Sequence, residues 1–235
     1  NEAGESTTTG GINTFIGHQA GEANTTGSSN VFMGSNAGGA NTTGTGNTAV
    51  GVIALDAITT SSNNTAVGHE ALTNASSGVG NTALGKATMT AVVTGSNNPA
   101  VVIYALNANT SASNNVAVGV NALVTNSTGA NNTAVGGEAL YSNTTASNNI
   151  GIGYQALYSN QTGANNYAIG YQALMVATGA ENVATGLLSG RYQTGANYNT
   201  FYGSRAGYQA TGSKNICIGA YGGSNLTSGT DNVIM

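Results

Sequence analysis

The sequence has few of the residues on which compact enzymes rely. It contains a single cysteine, Cys217, so no internal disulfide can form and cysteine usage does not fix a redox compartment. It has one proline, Pro99, and no tryptophan. Only 5% of residues are charged and the net charge is −4, which leaves none of the basic footprint of a nucleic-acid binder. No apolar run approaches the roughly 20 residues of a helical membrane span, so no membrane insertion is expected. No spacing assembles a nucleophile, a base and an oxyanion site, and the carboxylates are scattered. An enzyme is therefore not expected, nor is a cofactor or a bound metal. Low charge and low complexity suggest disorder, but disordered chains usually combine low hydrophobicity with high net charge. Here the apolar residues keep to fixed positions.

What is present is a period. An asparagine recurs every 17 residues at Asn13, Asn30, Asn47, Asn64, Asn81, Asn98, Asn115, Asn132, Asn149 and Asn166. It continues at Asn182, Asn199, Asn215 and Asn232, with steps of 16 or 17. A glycine follows four residues after nearly every anchor, as at Gly17, Gly34, Gly51 and Gly68. A strict short period means one structural unit stacked on copies of itself. Residues 1–12 form a lead-in or incomplete coil, and residues 13–235 form continuous repeats. The copy that begins at Asn232 stops before its glycine, which leads to the expectation that the chain is a piece of a longer protein.

With the anchor numbered slot zero, Asn132–Asn148 reads NTAVGGEALYSNTTASN. Slots one to three predict a short strand, because slot three carries Ile16, Met33, Val50, Val67 and their equivalents. Slots seven to nine predict a second strand, as in Ala71-Leu72 and Ala122-Leu123. Gly at slot four and the Asn-Thr-Thr-Gly stretch are turn chemistry. This much Gly, Asn and Thr disfavours a helix. The expected fold is all-β: a parallel β-solenoid, or β-roll, of about thirteen 17-residue coils spaced about 4.8 Å apart. The anchors would stack as a structural ladder, each amide bonding its neighbours above and below or the turn backbone.

Slots two and three are both apolar, and so are slots seven and eight. Neighbours on a strand point to opposite faces, so one of each pair is expected to face outward. Repeated coils would then expose an apolar stripe, which soluble monomers rarely do. Association along the axis would bury it, most simply as a cyclic trimer. Runs such as Asn47-Thr-Ala-Val-Gly51, Asn64-Thr-Ala-Val-Gly-His-Glu-Ala-Leu72 and Gly153-Tyr-Gln-Ala-Leu157 resemble the repeats upstream of the chaperone domain in trimeric phage tail fibres and related bacterial surface proteins. The Ala-Val-Gly-x-x-Ala core is also similar to the head repeats of YadA-like trimeric adhesins. The resemblance spans residues 13–235 and implies a trimeric shaft, extracellular, at a cell surface or on a virion, that carries or displays a binding end. The 17-residue period is longer than the usual adhesin-head repeat.

Two other readings remain open at this level. Unpaired ladder edges would allow end-to-end stacking into a filament. A threonine array at Thr25-Thr26, Thr42-Thr43, Thr59-Thr60 and Thr144-Thr145 suggests an ice-binding face, although Ser76-Ser77, Val93, Gln161 and Ala177 interrupt it. The tyrosines cluster late: ten of 11 follow residue 140. Tyr154 and Tyr171 share one slot and Tyr141 and Tyr158 another, which suits either a stiffening stack or a row that binds a host surface glycan or protein. Pro99 in slot one and Val102 in the glycine slot predict a bulge in the sixth copy.

Overall fold

The computed structural model describes residues 2–235 and is a parallel β-solenoid with one short strand per coil. It divides into two compact units, residues 1–114 and 115–235. The first holds β1 (Thr14–Ile16), β2 (Val31–Met33), β3 (Thr48–Val50), β4 (Thr65–Val67), β5 (Thr82–Leu84) and β6 (Pro99–Val101). The second holds β7 (Val116–Val118), β8 (Thr133–Val135), β9 (Ile150–Ile152), β10 (Tyr167–Ile169), β11 (Val183–Thr185), β12 (Thr200–Tyr202), β13 (Ile216–Ile218) and β14 (Val233–Ile234). Within each unit every strand pairs in parallel with the next. Equivalent slots face each other, as in Thr48↔Thr65, Ala49↔Ala66 and Val50↔Val67. The 16-residue copies keep this register: Tyr167 pairs with Val183 across β10 and β11.

The strand alternates as a pleat demands. Slot two points into the coil and is buried, as at Phe32, Ala49, Ala117 and Phe201. Slots one and three point out. Slot four must be glycine because the turn leaves at φ 127–142° at Gly17, Gly51 and Gly119. A Cβ on Gly34 would also lie 2.4 Å from the carbonyl oxygen of Gly51 in the next coil. Val102 breaks this rule at φ 89°, an uncommon angle for a β-branched residue.

The expected second strand at slots seven to nine does not form. That segment is a run of turns, and slots six and eight adopt left-handed backbone: Glu70 has φ 58° and Leu72 φ 52°. The chain reverses at each of these residues, so Ala71 and Leu72 both enter the core and neither faces out. The backbone still ladders between coils, with Leu55 N–H donating to Ala71 O at 3.0 Å and Ala57 N–H to Thr73 O at 2.9 Å. The expected bulge at Pro99 is also absent from its pairing with β5. Thr82 faces Pro99 in register and donates to Asn98 O at 3.0 Å, so no N–H is needed from residue 99 on that side.

The core is filled by a size exchange between slots two and eight. Where slot two is alanine or glycine, slot eight is mostly leucine, as in Ala66 with Leu72, Ala134 with Leu140 and Gly151 with Leu157. Where slot two is phenylalanine, slot eight is glycine in the same coil and in the one before. Phe201 lies against both Gly207 and Gly190: an added Cβ would come within 2.3 Å and 2.7 Å of its ring. Phe15 stands in the same relation to Gly21 and Gly4. Each ring therefore fills the leucine space of two adjacent coils.

Candidate functional site

The asparagine anchors form the ladder that the period implies, and its geometry uses the backbone more than amide-to-amide contact. All anchors from Asn30 to Asn215 are fully buried, whereas Asn13 and Asn232 are half-buried. Within each unit, the side-chain oxygen of one anchor accepts the backbone N–H of the next: Asn47 to Asn30 at 2.9 Å, Asn64 to Asn47 at 2.9 Å and Asn166 to Asn149 at 2.9 Å. Most Nδ2 groups donate to the slot-fourteen carbonyl of their own coil, as from Asn30 to Gly44 and from Asn64 to Gly78. One amide thus pins coil to coil and closes its own coil, which no apolar residue of the same volume could do.

A second buried ladder runs at slot eleven through Asn24 and Asn41 in the first unit and Asn126, Asn143 and Asn160 in the second. Asn143 donates to Asn126 Oδ1 at 2.8 Å and to Ala146 O at 3.0 Å. The ladder stops where an apolar residue takes the slot. Asn41 Oδ1 and Asn160 Oδ1, which precede Ile58 and Ala177, are buried without a hydrogen-bond partner. The signal was present in the sequence as a second asparagine in six of the copies, at Asn24, Asn41, Asn109, Asn126, Asn143 and Asn160. Its turn-like neighbours, Asn-Thr-Thr-Gly, masked it as a surface loop.

Outside the core, three surfaces carry distinctive chemistry. The first is the outer sheet face. In the second unit Ile152, Tyr167, Ile169, Val183, Tyr202, Ile216 and Ile218 are all exposed along slots one and three. The second is the tyrosine flank. Tyr141 and Tyr158 stack at 4.9 Å with 13° between planes, and Tyr154 and Tyr171 at 5.6 Å with 22°. Beside them Gln172 donates to Gln155 at 2.6 Å and Gln155 to Glu138 at 2.8 Å, a polar ladder at slot six. Burial pushes the Tyr158 hydroxyl above its ordinary range, with smaller contributions from Glu138, Tyr141 and Tyr154. Rings stacked along the ladder cover one another's faces and present edges outward, a geometry suited to stiffening.

The third surface lies at slots six, nine and ten of later coils. A cavity of about 310 Å³ is lined by Arg205, Tyr208, Gln209, Tyr221, Ser224 and Asn225. Arg205 Nη1 donates to the Tyr221 hydroxyl at 3.0 Å, and its guanidinium lies 5.4 Å from that ring's centre. Tyr208 meets Tyr192 at 86°, and Arg191 lies 4.9 Å over Tyr192. Composition did not flag this group, because its residues are dispersed over three copies.

The remaining candidates carry little chemistry. His18 and His69 lie three coils apart, and His69 approaches Glu70 at 3.7 Å on the surface. Glu2, Glu5 and Glu22 bring carboxylate oxygens within 4.8 Å of one another, but they are largely exposed. Cys217 is fully buried in slot two, and burial raises its thiol above the ordinary range. The slot-twelve threonine hydroxyls are spent on the next coil: Thr25 and Thr42 donate to Thr42 O and Thr59 O at 3.0 and 2.9 Å. Compared with protein-family models, curated proteins and solved structures, the chain matches none.

Proposed function

We propose that this chain is a structural fibre or adhesin-shaft segment: a rigid spacer, extracellular or on a virion, that associates side by side with further copies of itself, most simply as a trimer. The observation that carries the reading is the outer sheet face. Large apolar or aromatic side chains of the second unit, Ile152, Tyr167, Ile169, Tyr202 and Ile218 among them, stand exposed in slots one and three of one parallel ladder. Such a stripe is costly to leave in water and is a common mark of an interface. Closed cyclic association would bury it. Stability that is summed from coil-to-coil contacts fits mechanical duty, since no single coil is indispensable to its distant neighbours.

Light scattering over a concentration series tests this reading. A fixed mass of three chains is the expected result. Ile152→Lys with Ile169→Lys should return that mass to one chain while leaving the circular dichroism spectrum unchanged. A wild-type monomer at every concentration would refute lateral association. Mass that grows without limit would favour end-to-end filament assembly.

A further inference from the structure

We propose that the cavity bounded by Arg205, Tyr208 and Tyr221 is a binding site for a carboxylate-bearing sugar of a surface glycan. The charge argument comes first. The chain has four Lys and Arg residues, and two of them lie in adjacent coils: Arg205 lines the cavity, and Arg191 sits outside the lining over Tyr192, whose ring meets the lining residue Tyr208. The single ion pair among the described residues is His69 with Glu70, so neither arginine is matched by a carboxylate. The cavity lining contains no acid at all. Arg191 Nε is buried without a hydrogen-bond partner. A guanidinium fork suits a planar carboxylate, and Arg205 is already oriented by its bond to the Tyr221 hydroxyl.

The rest of the lining selects a sugar over a bare anion. Gln209, Ser224 and Asn225 offer neutral donors and acceptors of the kind that hydroxyl groups need. The aromatic geometry also changes here. The parallel stacks at Tyr141–Tyr158 and Tyr154–Tyr171 hide ring faces against each other, whereas the perpendicular pair Tyr192–Tyr208 cannot hide both. An aromatic ring among polar side chains, as Tyr208 is in this lining, suits the apolar face of a pyranose ring. The site occupies slots six, nine and ten, apart from slots one and three. It therefore does not depend on the lateral association proposed above, and either reading can fail alone.

Saturation-transfer NMR on the full chain tests it, with glucuronate, glucose, inorganic phosphate and an oligoglutamate peptide as probes. Glucuronate should show transfer, and glucose should bind about tenfold more weakly or worse, as expected for loss of a charge-assisted bond. Arg205→Gln should abolish the glucuronate signal, and Arg205→Lys should weaken it, with thermal unfolding unchanged in both because the side chain is on the surface. Four results would overturn the proposal: no transfer from glucuronate, an equal signal in Arg205→Gln, phosphate competing as well as glucuronate, or oligoglutamate binding more tightly than either.

Discussion

Phe201 and Gly207 allow the size exchange in the core to be measured. Phe201 is fully buried and its ring occupies the space that leucine takes in other coils. Phe201→Ala alone should leave a cavity and cost about 3–5 kcal/mol. Gly207→Leu alone should overpack, because even a Cβ would lie 2.3 Å from the Phe201 ring, and should cost about 1–3 kcal/mol or more. The backbone is not the obstacle. Gly207 has φ 59°, and Leu174 and Leu157 occupy the same slot at φ 49° and 56°. The double variant recreates the Ala–Leu pairing of Ala168 with Leu174. Only the space beside Gly190 stays unfilled, so a net loss of about 2 kcal/mol is expected where simple addition gives about 4–8. Urea unfolding followed by tyrosine fluorescence would measure all three variants. A double variant that loses the sum of the single losses to within about 0.5 kcal/mol would refute the exchange, since independent sites add to that accuracy.

Two further predictions concern buried polar groups. Asn64→Ala removes both the acceptor for Asn81 N–H and the donor to Gly78 O, whereas Asn149→Ala removes only the acceptor for Asn166 N–H, because Asn149 Nδ2 has no partner to lose. Asn64→Ala should therefore destabilise more than Asn149→Ala by about 1–2 kcal/mol in urea unfolding, because it also leaves a buried carbonyl without its donor. A smaller loss at Asn64 would show that the turn bond is unimportant. Asp56 is half-buried and desolvation raises its pKa above 3.8, so the folded state favours the protonated form. Its contribution is most favourable below the unfolded-state pKa and is lost as pH rises through the folded-state value. Asp56→Asn should then raise the melting temperature at pH 7 and leave it unchanged at pH 3. Equal shifts at both pH values would exclude desolvation as the cause.

The period made the fold class, the strand at slots one to three and the anchor ladder legible, because each depends on residues that must recur in register. Slots seven to nine were not legible as turns. Left-handed backbone is usually announced by glycine or asparagine, yet Leu72, Leu123 and Leu140 adopt it, held there by burial that only the stacked neighbours supply. Alternation therefore suggested a strand, and tertiary packing decided otherwise. The cavity at Arg205 was hidden for a different reason. Its lining joins positions 16 residues apart, Arg205 with Tyr221 and Tyr208 with Ser224, and no linear motif records that adjacency.

The phenylalanine rule has a consequence for how such a chain can change its length. A ring in slot two constrains its own coil and the coil before it, so coils are not freely interchangeable. The copies from Asn115 to Asn165 all carry the small–large pairing, and any one of them could be duplicated or lost without altering what its neighbours meet in slots two and eight of the core. The copy that begins at Asn199 cannot move in this way, because it must follow a coil with glycine in slot eight, as Gly190 supplies. Growth and shortening would therefore fall in the uniform stretch, while the phenylalanine-bearing coils travel only as linked pairs.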